Sequence, residues 1–245
     1  MCLLCFFVAS PLIIGHRGAS AVAPENTMAA FREAIAAGSD GIEFDVRLTR
    51  DGEPVIIHDS TLRRTTGLPQ RVADLTWSEL HGLNVGVPSL EQLFTLFEQN
   101  DLGLYLEMKS DSPVEREPLA RACCKLINQY SFKARVFVEC FDLPALEVIK
   151  KIDPEIKTAA LFEPGLFKPS VLSDQLILNR ATAIAASAVA LHHRIARGSL
   201  VQKAKDAGLA VAVWTVDDPA WIERARAIGV DALITNNPAA MLSHR

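Results

Sequence analysis

From residue 12 onward the chain repeats one unit: a short apolar run followed by an amphipathic stretch. Apolar runs fall at residues 12–15, 41–46, 103–108, 134–139, 157–161, 183–190, 210–216 and 231–235. Helical spacing falls at 27–37, 90–99, 115–130, 143–151, 170–179, 199–207 and 219–228. Strand-then-helix order requires right-handed crossovers between parallel strands, so the chain is expected to be α/β. Eight strands and 245 residues suit a (βα)8 TIM barrel, which needs about 250. An open doubly wound sheet is the rival, but no GxGxxG follows the first strand. The expectation is one domain over 1–245.

Residues 53–58 extend or follow the second strand, and the alternation then lapses over 59–88. That stretch contains Thr65, Thr66, Gly67, Pro69, Gly86 and Pro88, with one short helix expected at 77–81. It reads as a small insertion, too short for a core of its own.

Hydrophobic residues make up 49% and charged residues 22%, which excludes a disordered chain. Net charge is −4 with no Lys/Arg cluster, so no nucleic-acid partner is expected. No run reaches the roughly 18 apolar residues of a membrane span, so no stable membrane insertion is expected. The apolar start from Cys2 to Val8 lacks a basic flank and abuts the first strand, which argues against a signal peptide. Cys2, Cys5, Cys123, Cys124 and Cys140 are odd in number and read as free thiols in a cytoplasmic protein. Homo-oligomer formation is allowed but not required.

Strands of a parallel barrel are buried on both faces, so polar residues in them are informative. In 41–46, Ile42, Phe44 and Val46 share one face, while Glu43 and Asp45 share the other and point into the barrel. Two close carboxylates repel, and burial without partners is costly. A divalent cation removes both problems, and oxygen-only ligands favour Mg²⁺ or Ca²⁺. A structural salt bridge to Arg or Lys is the alternative. Glu107 and Lys109 face inward at the end of the third strand by the same parity. Glu107 would complete a three-carboxylate metal site and leave Lys109 for a phosphate oxygen, or the two would simply pair.

The first strand ends in Gly15-His16-Arg17-Gly18, and 53–58 ends in His58-Asp59. Each histidine offers proton transfer near neutral pH at an active end of the barrel. Arg17 offers a planar fork for phosphate oxygens. Trp214 faces inward at the barrel top, either walling the pocket against an alcohol or capping the core. His192 is a weaker candidate for a substrate contact.

His16-Arg17-Gly18, Pro24-Glu25-Asn26-Thr27, Glu43-Phe44-Asp45, His58-Asp59, Arg64-Thr65-Thr66, Glu107-Met108-Lys109 and Trp214-Thr215-Val216 occur in that order. Together with Gly229-Val230-Asp231 through Thr235, this series resembles the glycerophosphodiester phosphodiesterase family along nearly the whole chain. The resemblance implies an enzyme that hydrolyses glycerophosphodiesters to sn-glycerol 3-phosphate and an alcohol. It implies metal binding by Glu43, Asp45 and Glu107, acid/base roles for His16 and His58, and phosphate contacts from Arg17 and Lys109. Glu25 and Asn26 would shape the first loop. Two departures stand out: Asn236 occupies a position where the family often has Asp, and residues 66–88 are shorter than in many relatives. A phospholipase D-like lyase releasing a cyclic phosphate, a non-catalytic phosphoglycerol-binding barrel and an unrelated metal-dependent barrel enzyme are the competing readings.

Overall fold

The computed structural model describes residues 10–165 and 173–245. The apolar start with Cys2 and Cys5, and the first part of the helix expected at 170–179, lie outside the described residues. Nine strands form one sheet: β1 Leu12–His16, β2 Gly41–Leu48, β3 Pro54–Ile56, β4 Gly103–Met108, β5 Val136–Cys140, β6 Lys157–Phe162, β7 Ala188–His192, β8 Ala210–Trp214 and β9 Ala232–Thr235. Eight run parallel in the order β1-β9-β8-β7-β6-β5-β4-β2, and a β1–β2 pairing closes the ring. The result is a TIM barrel.

The helices are α1 Met28–Ala36, α2 Arg63–Thr66, α3 Trp77–Gly82, α4 Leu90–Phe97, α5 Pro113–Gln129, α6 Leu143–Ile152, α7 Asp174–Ala183, α8 Gly198–Asp206, α9 Ala220–Ile228 and α10 Pro238–Leu242. Their starts follow from local chemistry. The Thr27 hydroxyl accepts from Ala30 N, and Ser89 and Gln92 form a reciprocal capping box at α4. Ile42, Phe44, Val46, Leu104, Leu106 and Met108 join the layer between barrel and helices. Ile14, Tyr105, Leu161, Ala190, Ala212, Ala232 and Ile234 fill the barrel interior. Burial of both layers is the main stabilising term, at roughly 25 cal/mol per Å² of apolar surface removed from water.

Of the two readings of residues 53–58, the structure has them follow β2 rather than extend it: the chain turns at Gly52 (φ +84°), and β3 returns antiparallel, with Val46 opposite Ile56. Two expectations need correction. The strand expected at 183–190 is β7, Ala188–His192. Ala183 instead ends α7, which Ser173 caps and which buries Ile177, Leu178 and Ala181 at helical spacing. The insertion also has a small buried cluster of its own, Val55, Ile57, Leu62, Val72 and Leu80, built on the β3 segment. Cys123, Cys124 and Cys140 are free and buried. Among the described residues, no helix is long and apolar enough to cross a membrane.

Candidate active site at the carboxyl end of the barrel

A cavity of about 420 Å³ opens at the carboxyl ends of the strands, lined by residues including His16, Arg17, Glu43, His58, Glu107, Lys109 and Trp214. Asp45, buried beside them, completes the set of side chains expected at the site.

Register explains the acidic centre. Asp45 is level with Glu107 across β2 and β4, and Glu43 lies one inward step below Asp45. Each of the three offers a carboxylate oxygen, all within 4.8 Å of one another. All three are buried. Burial, followed by the charges of Asp45, Glu139 and Glu107, pushes the Glu43 carboxyl well above its ordinary range. Glu107 is raised to about 7, mainly by burial and against the pull of Lys109. Burial acts on Asp45 in the same sense, but Lys109 and Arg17 hold it well below the carboxylate range. Glu43 Oε1 has no hydrogen-bond partner among the described residues. A buried, unpaired oxygen in a group of hard oxygen donors fits a divalent cation, which would relieve the repulsion.

The alternative pairing of Glu107 with Lys109 is also present. Lys109 Nζ lies 2.5 Å from Glu107 Oε1 and 2.9 Å from Asp45 Oδ1. Two cations, Arg17 and Lys109, still face three acids, and the pairing does not reach Glu43 Oε1.

The loop after β1 positions Arg17. Gly18 (φ +84°) runs so close to α1 that a Cβ would sit 2.6 Å from the Ala30 carbonyl carbon. Arg17 is itself left-handed (φ +54°). Its backbone N–H donates to Glu43 Oε2 at 2.9 Å, and its Nε makes an ion pair with Asp45 Oδ2 at 3.1 Å without hydrogen-bond alignment. Asn26 closes the loop by donating from Nδ2 to Asp45 Oδ2 at 2.7 Å. Arg17 Nη1 donates to Glu25. Arg64 bridges Glu25 to Asp59, which accepts from His58 Nδ1 at 2.6 Å.

Both histidines are held by one ring nitrogen. Asp59 is ionised and can only accept, so His58 Nδ1 carries the proton and Nε2 is free. His16 Nδ1 is 2.7 Å from Asn236 Oδ1. Asn236 Nδ2 donates to the Asp217 carboxylate at 2.7 Å, which fixes the orientation of the amide and makes His16 Nδ1 the donor. His16 Nε2 then faces inward, 3.8 Å from Glu43. Burial lowers the pKa of both imidazoles, against the pull of Asp45. His58 follows a strand that points back into the barrel, and the β3 return brings it to the level of Asp45, whose carbonyl accepts from Ile57 N.

Trp214 lines the cavity and meets Phe141 edge-on at 5.5 Å between ring centroids. His192 packs against Trp214 and is not among the residues lining the cavity. Two further residues escaped the sequence reading. Arg47 donates from Nε to the His58 carbonyl at 2.7 Å and pairs with Asp111. Glu139, on β5 opposite Glu107, is buried against the cavity. The parity rule that singled out Glu43 applies equally to Glu139.

A closed (βα)8 ring with acids, imidazoles and cations gathered at the carboxyl ends of its strands is the architecture of a barrel enzyme. The profile of the glycerophosphoryl diester phosphodiesterase family matches residues 16–240, and the chain belongs to that family. It is 34% identical to a glycerophosphodiester phosphodiesterase of Caldanaerobacter subterraneus subsp. tengcongensis, over 95% of this chain and 96% of the relative. A putative glycerophosphoryl diester phosphodiesterase of Silicibacter pomeroyi superimposes with a TM-score of 0.85 at 27% identity, over 96% of this chain and 93% of the other. An Oleispira antarctica phosphodiesterase, solved in complex with the product sn-glycerol-3-phosphate, superimposes with a TM-score of 0.85 at 26% identity, over 96% of both chains.

Proposed function

We propose that this chain, as one barrel domain, hydrolyses glycerophosphodiesters to sn-glycerol 3-phosphate and an alcohol, with a divalent cation, Mg²⁺ or Ca²⁺, held by Glu43, Asp45 and Glu107. The observation that carries this reading is the convergence of those three buried carboxylates, within 4.8 Å, at one cavity with two histidines whose Nδ1 atoms are already engaged. The bound cation supplies charge neutralisation at the phosphoryl oxygens.

The remaining work falls to the chain's own residues. Arg17 and Lys109 add positive charge where the phosphoryl oxygens gain negative charge. One imidazole takes the proton of the nucleophile through Nε2, and the other gives a proton to the departing alkoxide. Burial lowers the pKa of both imidazoles and so favours the neutral form that the base requires, while the imidazole acting as acid carries a second proton, on Nε2, when the alkoxide departs. Asp59 and Asn236 hold Nδ1 of the two rings, so that each ring exchanges its proton with the substrate through Nε2. The proposed setting is the cytoplasm, where the three buried thiols would stay reduced.

The test is release of sn-glycerol 3-phosphate from glycerophosphocholine and glycerophosphoethanolamine, with and without EDTA, followed by ³¹P NMR. Cation-dependent release is expected. A cyclic phosphate as the final product would instead identify a lyase. His16→Ala and His58→Ala are each expected to lower kcat by about 10²–10⁴-fold with the circular dichroism spectrum unchanged. Turnover at the wild-type rate in either variant would remove that residue from the chemistry.

A further inference from the structure

Besides Glu43 Oε1 and Arg17 Nε at the acidic centre, two buried polar atoms of cavity-lining residues lack hydrogen-bond partners among the described residues, and they are of opposite type. Glu139 Oε2 is an acceptor without a donor, and Trp214 Nε1 is a donor without an acceptor. Glu139 is only 1% exposed, and both residues line the cavity. Burying either atom unpaired costs free energy comparable to a lost hydrogen bond. Leu161, Ile234 and Phe141 line the same cavity and offer apolar surface. Phe141, two residues beyond Glu139, touches the Trp214 ring, so the β5 and β8 ends meet over this part of the cavity.

We propose that Glu139 and the Trp214 indole N–H form a clamp for a free hydroxyl of the substrate's glycerol part, making Glu139 a specificity-determining residue. This rests on the phosphodiesterase reading above. A hydroxyl is a donor and an acceptor at once and can satisfy both orphan atoms. A quaternary ammonium satisfies neither, and a primary ammonium satisfies only Glu139, since it has no lone pair for the indole. The apolar walls suit the carbon chain of a small polyol. The acceptor role of Glu139 holds in either protonation form, because a protonated carboxyl keeps lone pairs. A site that hydrogen-bonds a hydroxyl discriminates against the analogue lacking it far more strongly than an apolar pocket does.

The test compares kcat/KM for glycerophosphocholine and for its analogue built on propane-1,2-diol, which lacks only the terminal hydroxyl. Wild type is expected to prefer the glycerol diester by about 10–100-fold. Glu139→Leu should collapse that preference, while Glu139→Gln, which keeps an acceptor, should retain most of it. Trp214→Phe, which keeps the ring but removes the N–H, should also collapse it and serves as the second variant if Glu139→Leu fails to fold. Equal loss on both diesters in Glu139→Leu, with weakened Mg²⁺ binding by calorimetry, would make Glu139 part of the metal surroundings and overturn the clamp. A wild type that turns over both diesters equally also overturns it and leaves the proposed function standing. A wild type that hydrolyses neither removes the proposed function and this inference together.

Discussion

Asn236 Oδ1 lies 2.7 Å from His16 Nδ1 and accepts its hydrogen bond, at a position where the family resemblance often shows aspartate. The amide keeps the acceptor and drops the charge. Asp217 supplies the missing carboxylate one residue further out, accepting from both the Asn236 side chain and its backbone N–H.

Asn236→Ala should therefore release His16 to rotate and exchange tautomers. We expect kcat to fall about 10–100-fold, the range typical of a lost orienting partner, with KM little changed. Steady-state kinetics checks this, and a change confined to KM would show that Asn236 does not act through His16.

Cation binding should be visible without catalysis. A ligand that binds only the folded state stabilises it by about 2.7 kcal/mol at a hundredfold excess over Kd. Saturating Mg²⁺ or Ca²⁺ should raise the melting temperature of wild type, and the increment should vanish in Asp45→Asn and Glu43→Gln. Equal increments in wild type and variants would place the cation elsewhere.

Gly18→Ala should destabilise the fold and the site together. The left-handed backbone costs an alanine about 1–2 kcal/mol, and its Cβ would collide with the main chain of α1 at Ala30. Relief of that collision must shift the loop carrying Arg17. Urea denaturation should show a loss of about 1–3 kcal/mol, accompanied by a lower kcat/KM.

Acid stability should report on Asp59. Its pKa is lowered to about 2 by the hydrogen bond from Arg64 first and by that from His58 as well. A carboxyl depressed in the folded state adds stability that is complete above its unfolded pKa, near 4, and is lost as pH falls through about 2. The pair is partly exposed, so solvent screening limits the effect to about 1 kcal/mol or less. Asp59→Asn should flatten the fall in urea midpoint between pH 4 and pH 2. An unchanged slope would mean the Arg64 contact carries no net free energy.

Much of the fold was legible because a buried parallel barrel imposes two periods on the chain. The apolar face of β4, Leu104, Leu106 and Met108, and the capped start of α1 follow from local pattern alone. The β3 return and the start of β7 were not legible in the same way. Short apolar runs such as 53–58 and 183–190 suit several conformations, and the choice fell to a turn at Gly52 and to the burial of α7 against its neighbours.

Parity along a strand by itself determined that Glu43, Asp45, Glu107 and Lys109 point inward, because side chains on a strand alternate faces whatever lies around them. Only the tertiary structure decided which groups meet. Asn236 reaches His16 across 220 residues, Lys109 reaches Asp45 across two strands, and Arg64 ties Glu25 to Asp59. Barrel closure and strand register set those distances, and neither is written in any local stretch of residues.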